Sequence, residues 1–114
     1  MLTLYGIKNC DAVKKARLWL DDHSLSYRFH DFRADGLSTA QLHSFADAVG
    51  WEKLLNRSST SWRQLSPKLS TPLTAETALA LMLDTPTLIK RPVLDTGTQI
   101  LIGFKADLYQ TLLP

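Results

Sequence analysis

The stretch Leu2-Thr3-Leu4-Tyr5-Gly6-Ile7-Lys8-Asn9-Cys10, continued by Asp11 to His23 and then by Leu25-Ser26-Tyr27-Arg28-Phe29-His30, decides the fold. Residues 2–6 alternate and stop at a glycine, the pattern of a short strand. Residues 6–10 read as a loop. From Asp11 the period turns helical: Ala12, Ala16, Trp19 and His23 share one face, with Val13 and Leu20 beside them. Lys14, Arg17 and Asp21 fall on the outer side, where Arg17 and Asp21 are spaced to pair weakly. Residues 25–30 alternate again and predict a second strand. Two neighbouring strands joined in this β-loop-α-β order run parallel, through a right-handed crossover.

The middle of the chain changes character. Ser38-Thr39-Ala40-Gln41 predicts a capping box that opens a helix to about Val49, ended by Gly50. Trp51 to Leu55 reads as a short helix, and Ser61 as the cap of a turn carrying Trp62 and Leu65. Thr74 predicts the cap of a further helix with Ala75, Ala78, Leu79 and Met82 inward, stopped at Asp84-Thr85-Pro86. The end returns to strands: Leu88 to Leu94 and Gln99 to Phe104 flank the hairpin turn Asp95-Thr96-Gly97-Thr98. Ala106 to Leu113 closes the chain as a short helix with Leu108, Tyr109 and Leu112 inward. The expectation is an α/β core interrupted by a helical insertion.

Composition sets bounds on this reading. The 114 residues fit one domain, and 45% hydrophobic against 21% charged residues can build a core. One cysteine excludes an internal disulfide and a multi-cysteine zinc site. No apolar run approaches the about 20 residues that span a bilayer. The start Met1-Leu2-Thr3-Leu4 lacks a basic segment, so no signal peptide is expected, and the location expected is the cytoplasm. A net charge of +2, scattered over several elements, gives no basic stripe for nucleic acid.

The chemistry gathers at two places. Cys10 stands between a strand end and a helix start, where unpaired amides and the helix dipole favour an anion, so it reads as a reactive thiolate, with a buried structural cysteine as the alternative. Lys8, Lys14 and Lys15 add positive charge nearby, and the Asp11 carboxylate opposes it. Val13 occupies the third position after Cys10, so there is no Cys-x-x-Cys pair, and any disulfide at Cys10 has to be resolved by a second thiol from outside. Far along the chain, Arg91-Pro92 precedes the first strand of the hairpin. The proline marks an edge, a bulge or a cis turn. Arg91 is either a solvated surface charge or a planar fork for a carboxylate or oxyanion beside the thiol. Arg57 reads on pattern alone as a helix-end arginine. His23, His30 and His43 lack ligand spacing, so no metal site is expected, and Trp19, Trp51 and Trp62 read as packing residues.

These residues carry a resemblance. Leu4-Tyr5-Gly6-Ile7-Lys8-Asn9-Cys10-Asp11 with Lys14-Lys15-Ala16, then Tyr27-Arg28-Phe29-His30-Asp31, Gly50-Trp51, Leu54-Leu55-Asn56-Arg57, Ile89-Lys90-Arg91-Pro92-Val93-Leu94 and Gly103-Phe104 resemble the arsenate-reductase-like (ArsC/Spx) family over essentially the whole chain. The likeness is closest to its short bacterial YffB branch. It implies a single thioredoxin-like domain over residues 1–114, with a mixed four-stranded sheet and a helical insertion at about 36–86. It implies a cis Pro92 close to Cys10, Cys10 as the catalytic cysteine, and Lys8, Asn9, Arg57, Arg91 and Pro92 around substrate and glutathione.

Members that reduce arsenate have a histidine where this chain has Gly6, and Ser-Arg where it has Val13-Lys14. Of their three oxyanion arginines, Arg91 matches one. A second falls at Asn56, next to Arg57, and the third near Gly103, with Lys105 the nearest cation. The activity implied is a cytosolic thiol reductase with glutathione as cosubstrate, glutaredoxin as a further partner and no tightly bound cofactor. Arsenate reduction through glutathione and glutaredoxin is a second reading. A partner-docking regulator of the Spx kind, without turnover, is a third. A monomer is expected that binds neither membrane nor nucleic acid.

Overall fold

A computed structural model describes residues 1–114. The elements follow as β1 (Leu2–Gly6), α1 (Asp11–Asp22), β2 (Tyr27–Asp31), α2 (Thr39–Val49), α3 (Trp51–Leu54), α4 (Thr60–Leu65), α5 (Ala75–Asp84), β3 (Val93–Asp95), β4 (Ile100–Ile102) and α6 (Ala106–Gln110). Short 3-10 turns cover Ser66–Lys68 and Pro86–Leu88. The chain divides into two compact units, residues 1–36 with 91–114, and residues 37–90. No helix is long and apolar enough to cross a membrane.

The first unit is built on a mixed sheet in the order β2-β1-β3-β4. β1 runs parallel to β2 and antiparallel to β3, and β3 and β4 form the terminal hairpin. Register places Phe29, Leu4, Leu94 and Leu101 in one row across the strands. Residues that share a row share a face. That face is covered by Ala16 and Leu20 of α1 and by Tyr109 of α6, all buried. Trp19 and Phe104 meet the Tyr109 ring edge-on, at 5.5 and 4.9 Å between centroids.

The buried stripe of α1 is Val13, Ala16 and Leu20, one position round from the face expected from Ala12, Ala16, Trp19 and His23. Trp19 and His23 still meet on the flank, stacked at 3.8 Å. Arg17 does not turn to Asp21. Its Nε donates to the Tyr27 hydroxyl at 3.2 Å, and its guanidinium lies 4.4 Å above the Phe29 ring. A partly buried aromatic surface competes better for a guanidinium than an exposed carboxylate does.

The second unit consists of short, individually capped helices. Ser38 and Gln41 form the reciprocal capping box of α2, and Thr74 and Thr77 form that of α5. The cap of α4 is Ser59, which accepts from Trp62 N at 3.1 Å, not Ser61. Ser61 lies within the helix, and its hydroxyl meets that of Thr87. The inward residues of α5 are Ala78, Leu79 and Met82, while Ala75 in the first turn is exposed. A strand expected from Leu88 begins only at Val93. Pro86–Leu88 closes a 3-10 turn, Ile89 makes a lone bridge to Leu55, and Pro92 has no N–H to give a ladder.

Candidate functional site

The geometry around Cys10 starts at Gly6. A Cβ at Gly6 would lie 2.6 Å from Val13 Cγ2, so the absence of a side chain lets α1 settle onto the end of β1. The loop between them is fixed at three points. Phe32 N donates to the Gly6 carbonyl at 2.8 Å, Lys8 N to Asp31 Oδ2 at 3.2 Å, and Cys10 N to the Ile7 carbonyl at 3.2 Å.

Cys10 is the N-cap of α1, with extended backbone (φ −109°, ψ 126°). Its carbonyl accepts from Lys14 N at 3.0 Å. Its half-buried side chain makes no capping bond. The thiol sits at the helix position from which a side chain can meet the unpaired first-turn amides. The Asp11 carboxylate, in the first turn, disfavours a thiolate beside it.

The Arg91–Pro92 peptide bond is cis. Tyr5 pairs with Val93, so the end of β1 that leads to Cys10 and the start of β3 that follows Pro92 lie at the same end of the sheet. Pro92 is buried, and its carbonyl accepts from Gly103 N at 2.8 Å. Arg91 is half-buried, and its buried Nε has no hydrogen-bond partner. A buried donor left unmet carries a penalty that an arriving acceptor removes. The first unit thus brings together Lys8, Asn9, Cys10, Arg91 and Pro92 at one end of its sheet, with the Lys8 and Asn9 side chains exposed. Arg57 belongs to the second unit. Its guanidinium is 5.8 Å from the Trp62 ring centroid, in a surface pocket that also includes Trp51 and Glu52.

The histidines take structural contacts or the surface. His23 Nδ1 meets the Trp19 carbonyl at 2.8 Å, His30 Nε2 meets the Gly36 carbonyl at 2.6 Å, and His43 is exposed on α2. No three His, Cys, Asp or Glu side chains are grouped to hold a metal ion.

One residue was not visible as part of the site from sequence spacing. Asp31 accepts not only from Lys8 N but also, through Oδ1, from Arg33 N at 2.7 Å and Ala34 N at 3.2 Å. Burial pushes its carboxyl up, but those three N–H bonds and the Arg33 charge outweigh it and hold the group below its ordinary value. An aspartate at a strand end, two residues before a turn, is the available sequence signal.

A mixed four-stranded sheet with a cysteine at the first helix and a cis-proline at the same sheet end defines a thioredoxin-like α/β protein. The model of the ArsC family matches residues 5–112, so the chain belongs to the ArsC family. An uncharacterized protein of Haemophilus influenzae is 46% identical over 110 residues, covering 96% of each chain. A solved structure of a protein named YffB is 44% identical, with a TM-score of 0.94 over 100% of both chains. The global transcriptional regulator Spx of Enterococcus faecalis is 27% identical over 100% of this chain and 87% of its own.

Proposed function

We propose that the chain is a cytosolic, glutathione-dependent thiol reductase in which Cys10 is the nucleophile. The observation that carries this reading is the juxtaposition at one sheet end of the Cys10 thiol, at the N-cap of α1, with Arg91, whose buried Nε lacks an acceptor. The Cys10 thiolate attacks one sulfur of a disulfide between substrate and glutathione. A Cys10–glutathione disulfide forms, and the substrate leaves as a thiolate that takes a proton from water. The thiolate of a second glutathione attacks the glutathionyl sulfur, releases oxidised glutathione and restores the Cys10 thiolate. The first-turn amides of α1 stabilise the anion whenever it is free. Arg91 and Lys8 bind glutathione carboxylates, and Asn9 and Pro92 shape the site. No bound cofactor is required.

The test is trapping. Protein incubated with oxidised glutathione gains the mass of one glutathionyl group, and Cys10→Ser abolishes the gain. An unmodified wild-type protein overturns the reading. Membership of the ArsC family supports arsenate reduction as a second reading, which predicts arsenate-dependent NADPH oxidation in the presence of glutathione, glutaredoxin and glutathione reductase. The Spx relative supports a third, a regulator that docks a protein partner without turnover. A pull-down in which Cys10→Ser retains its partner favours that one.

A further inference from the structure

We propose that Asp31 is a positioning residue for the Cys10 loop: by accepting the Lys8 amide, its carboxylate holds residues 6–10 in the geometry in which the thiol reacts. This rests on the reading of Cys10 as the reactive thiol. The two carboxylate oxygens divide the work. Oδ1 takes the local amides of Arg33 and Ala34, and Oδ2 takes the amide of Lys8, 23 residues away in sequence. The aspartate is itself fixed. Its backbone N–H donates to Asp35 Oδ2 at 3.0 Å, and its carbonyl accepts from Asp35 N at 2.8 Å.

Apart from the buried Ile7 side chain, the loop has few hydrogen bonds to hold it. Gly6 is tied at its carbonyl, Cys10 N reaches only back to Ile7 within the loop, and Asn9 N–H meets no acceptor. Without the Lys8 tie, the segment between the strand end and the helix cap has no bond to the rest of the sheet. Cys10 then no longer has a fixed place at the N-cap of α1. Charge matters as well as shape. An asparagine offers one acceptor oxygen and an NH2 group that only donates, so it can serve Arg33 and Ala34 only by turning its NH2 against the Lys8 N–H. Asp31→Asn therefore removes the loop tie while sparing the local turn.

The experiment combines amide hydrogen exchange with the alkylation rate of Cys10 by iodoacetamide at pH 7. In the wild type, Lys8 N–H exchanges at least about ten-fold more slowly than Asn9 N–H, as a charge-assisted bond demands. In Asp31→Asn that protection is lost, Arg33 and Ala34 N–H keep theirs, and alkylation falls roughly three- to ten-fold as the thiol loses its fixed position. Lys8 exchanging as fast as Asn9 in the wild type overturns the proposal, and that arm does not depend on the variant folding. An alkylation rate in Asp31→Asn equal to the wild type overturns it too. Failure of the reductase reading shows separately, as an absent glutathionyl adduct on the wild type.

Discussion

In the first unit, Phe29, Leu4, Leu94 and Leu101 come from four strands, two near the start of the chain and two in the terminal hairpin, and stand in one row. In the second, α2 and α5 each open on a hydroxyl and a partner three residues on, and α4 on Ser59 alone. The first arrangement exists only when the whole sheet exists. The second is specified within single turns, and only its buried residues, such as Phe45, Leu54 and Met82, tie the turns together. The difference explains where the chemistry lies. A thiol and an arginine separated by 81 positions in sequence are brought to one sheet end by non-local pairing, which capped helices alone do not provide.

Substitutions sharpen this contrast. Leu4→Ala removes the centre of the row and is expected to cost roughly 2–5 kcal/mol by urea denaturation. A loss below one kcal/mol would break the picture of a sheet held by that row. Gly6→Ala drives a methyl into Val13 and is expected to cost about 1–3 kcal/mol. Adding Val13→Ala recovers part of that loss, so a double-mutant cycle that closes additively would contradict the contact. In the helical unit, Ser38→Ala loses one cap and is expected to cost about 1 kcal/mol, with the change in helicity confined to α2 by amide exchange.

The acid limb of stability tests Asp31. Its carboxyl is held below the ordinary value in the folded chain. Its contribution is therefore complete above the unfolded value of about 3.9 and is lost as the pH falls from there through the lower folded value. Asp31→Asn flattens that part of the pH–stability profile and leaves the neutral-to-alkaline slope unchanged. The smallest effect is expected at Tyr109, whose buried hydroxyl has no partner. Tyr109→Phe leaves the melting temperature unchanged or raises it, because the unmet hydroxyl is a penalty already present in the folded state. A clear fall would mean that the hydroxyl is satisfied.

Much of this architecture was legible because it is periodic. The alternation at 2–6 and 25–30 and the helical period between them gave β1, α1 and β2 to within two residues at most ends. Gly50, the capping box at Ser38 and the cap at Thr74 marked helix ends directly. What escaped the reading was set by contacts. The face of α1 turned to Val13 because Gly6 leaves room there, and Arg17 left Asp21 for two aromatic rings on β2. β3 shrank to Val93–Asp95 because Pro92 cannot pair, although an apolar run suggested a longer strand. At the candidate site, Cys10 and Arg91 stood out by residue type and neighbours. Asp31 did not, since its link to Lys8 crosses 23 positions and goes to a backbone amide, which leaves no signature in residue identity.

The parallel pairing of β1 with β2 has a consequence for the order in which the molecule is made. Parallel neighbours close only after the intervening helix has folded back, and contacts across such a crossover form late relative to local ones. The Lys8–Asp31 and Phe32–Gly6 bonds both lie at the finishing end of that ladder. On the proposed reading, a nascent or partly folded chain carries Cys10 without the loop geometry that places it at the cap of α1, and that placement arrives only with the completed sheet. Alkylation of that single sulfur during refolding would report the moment at which the parallel pair locks.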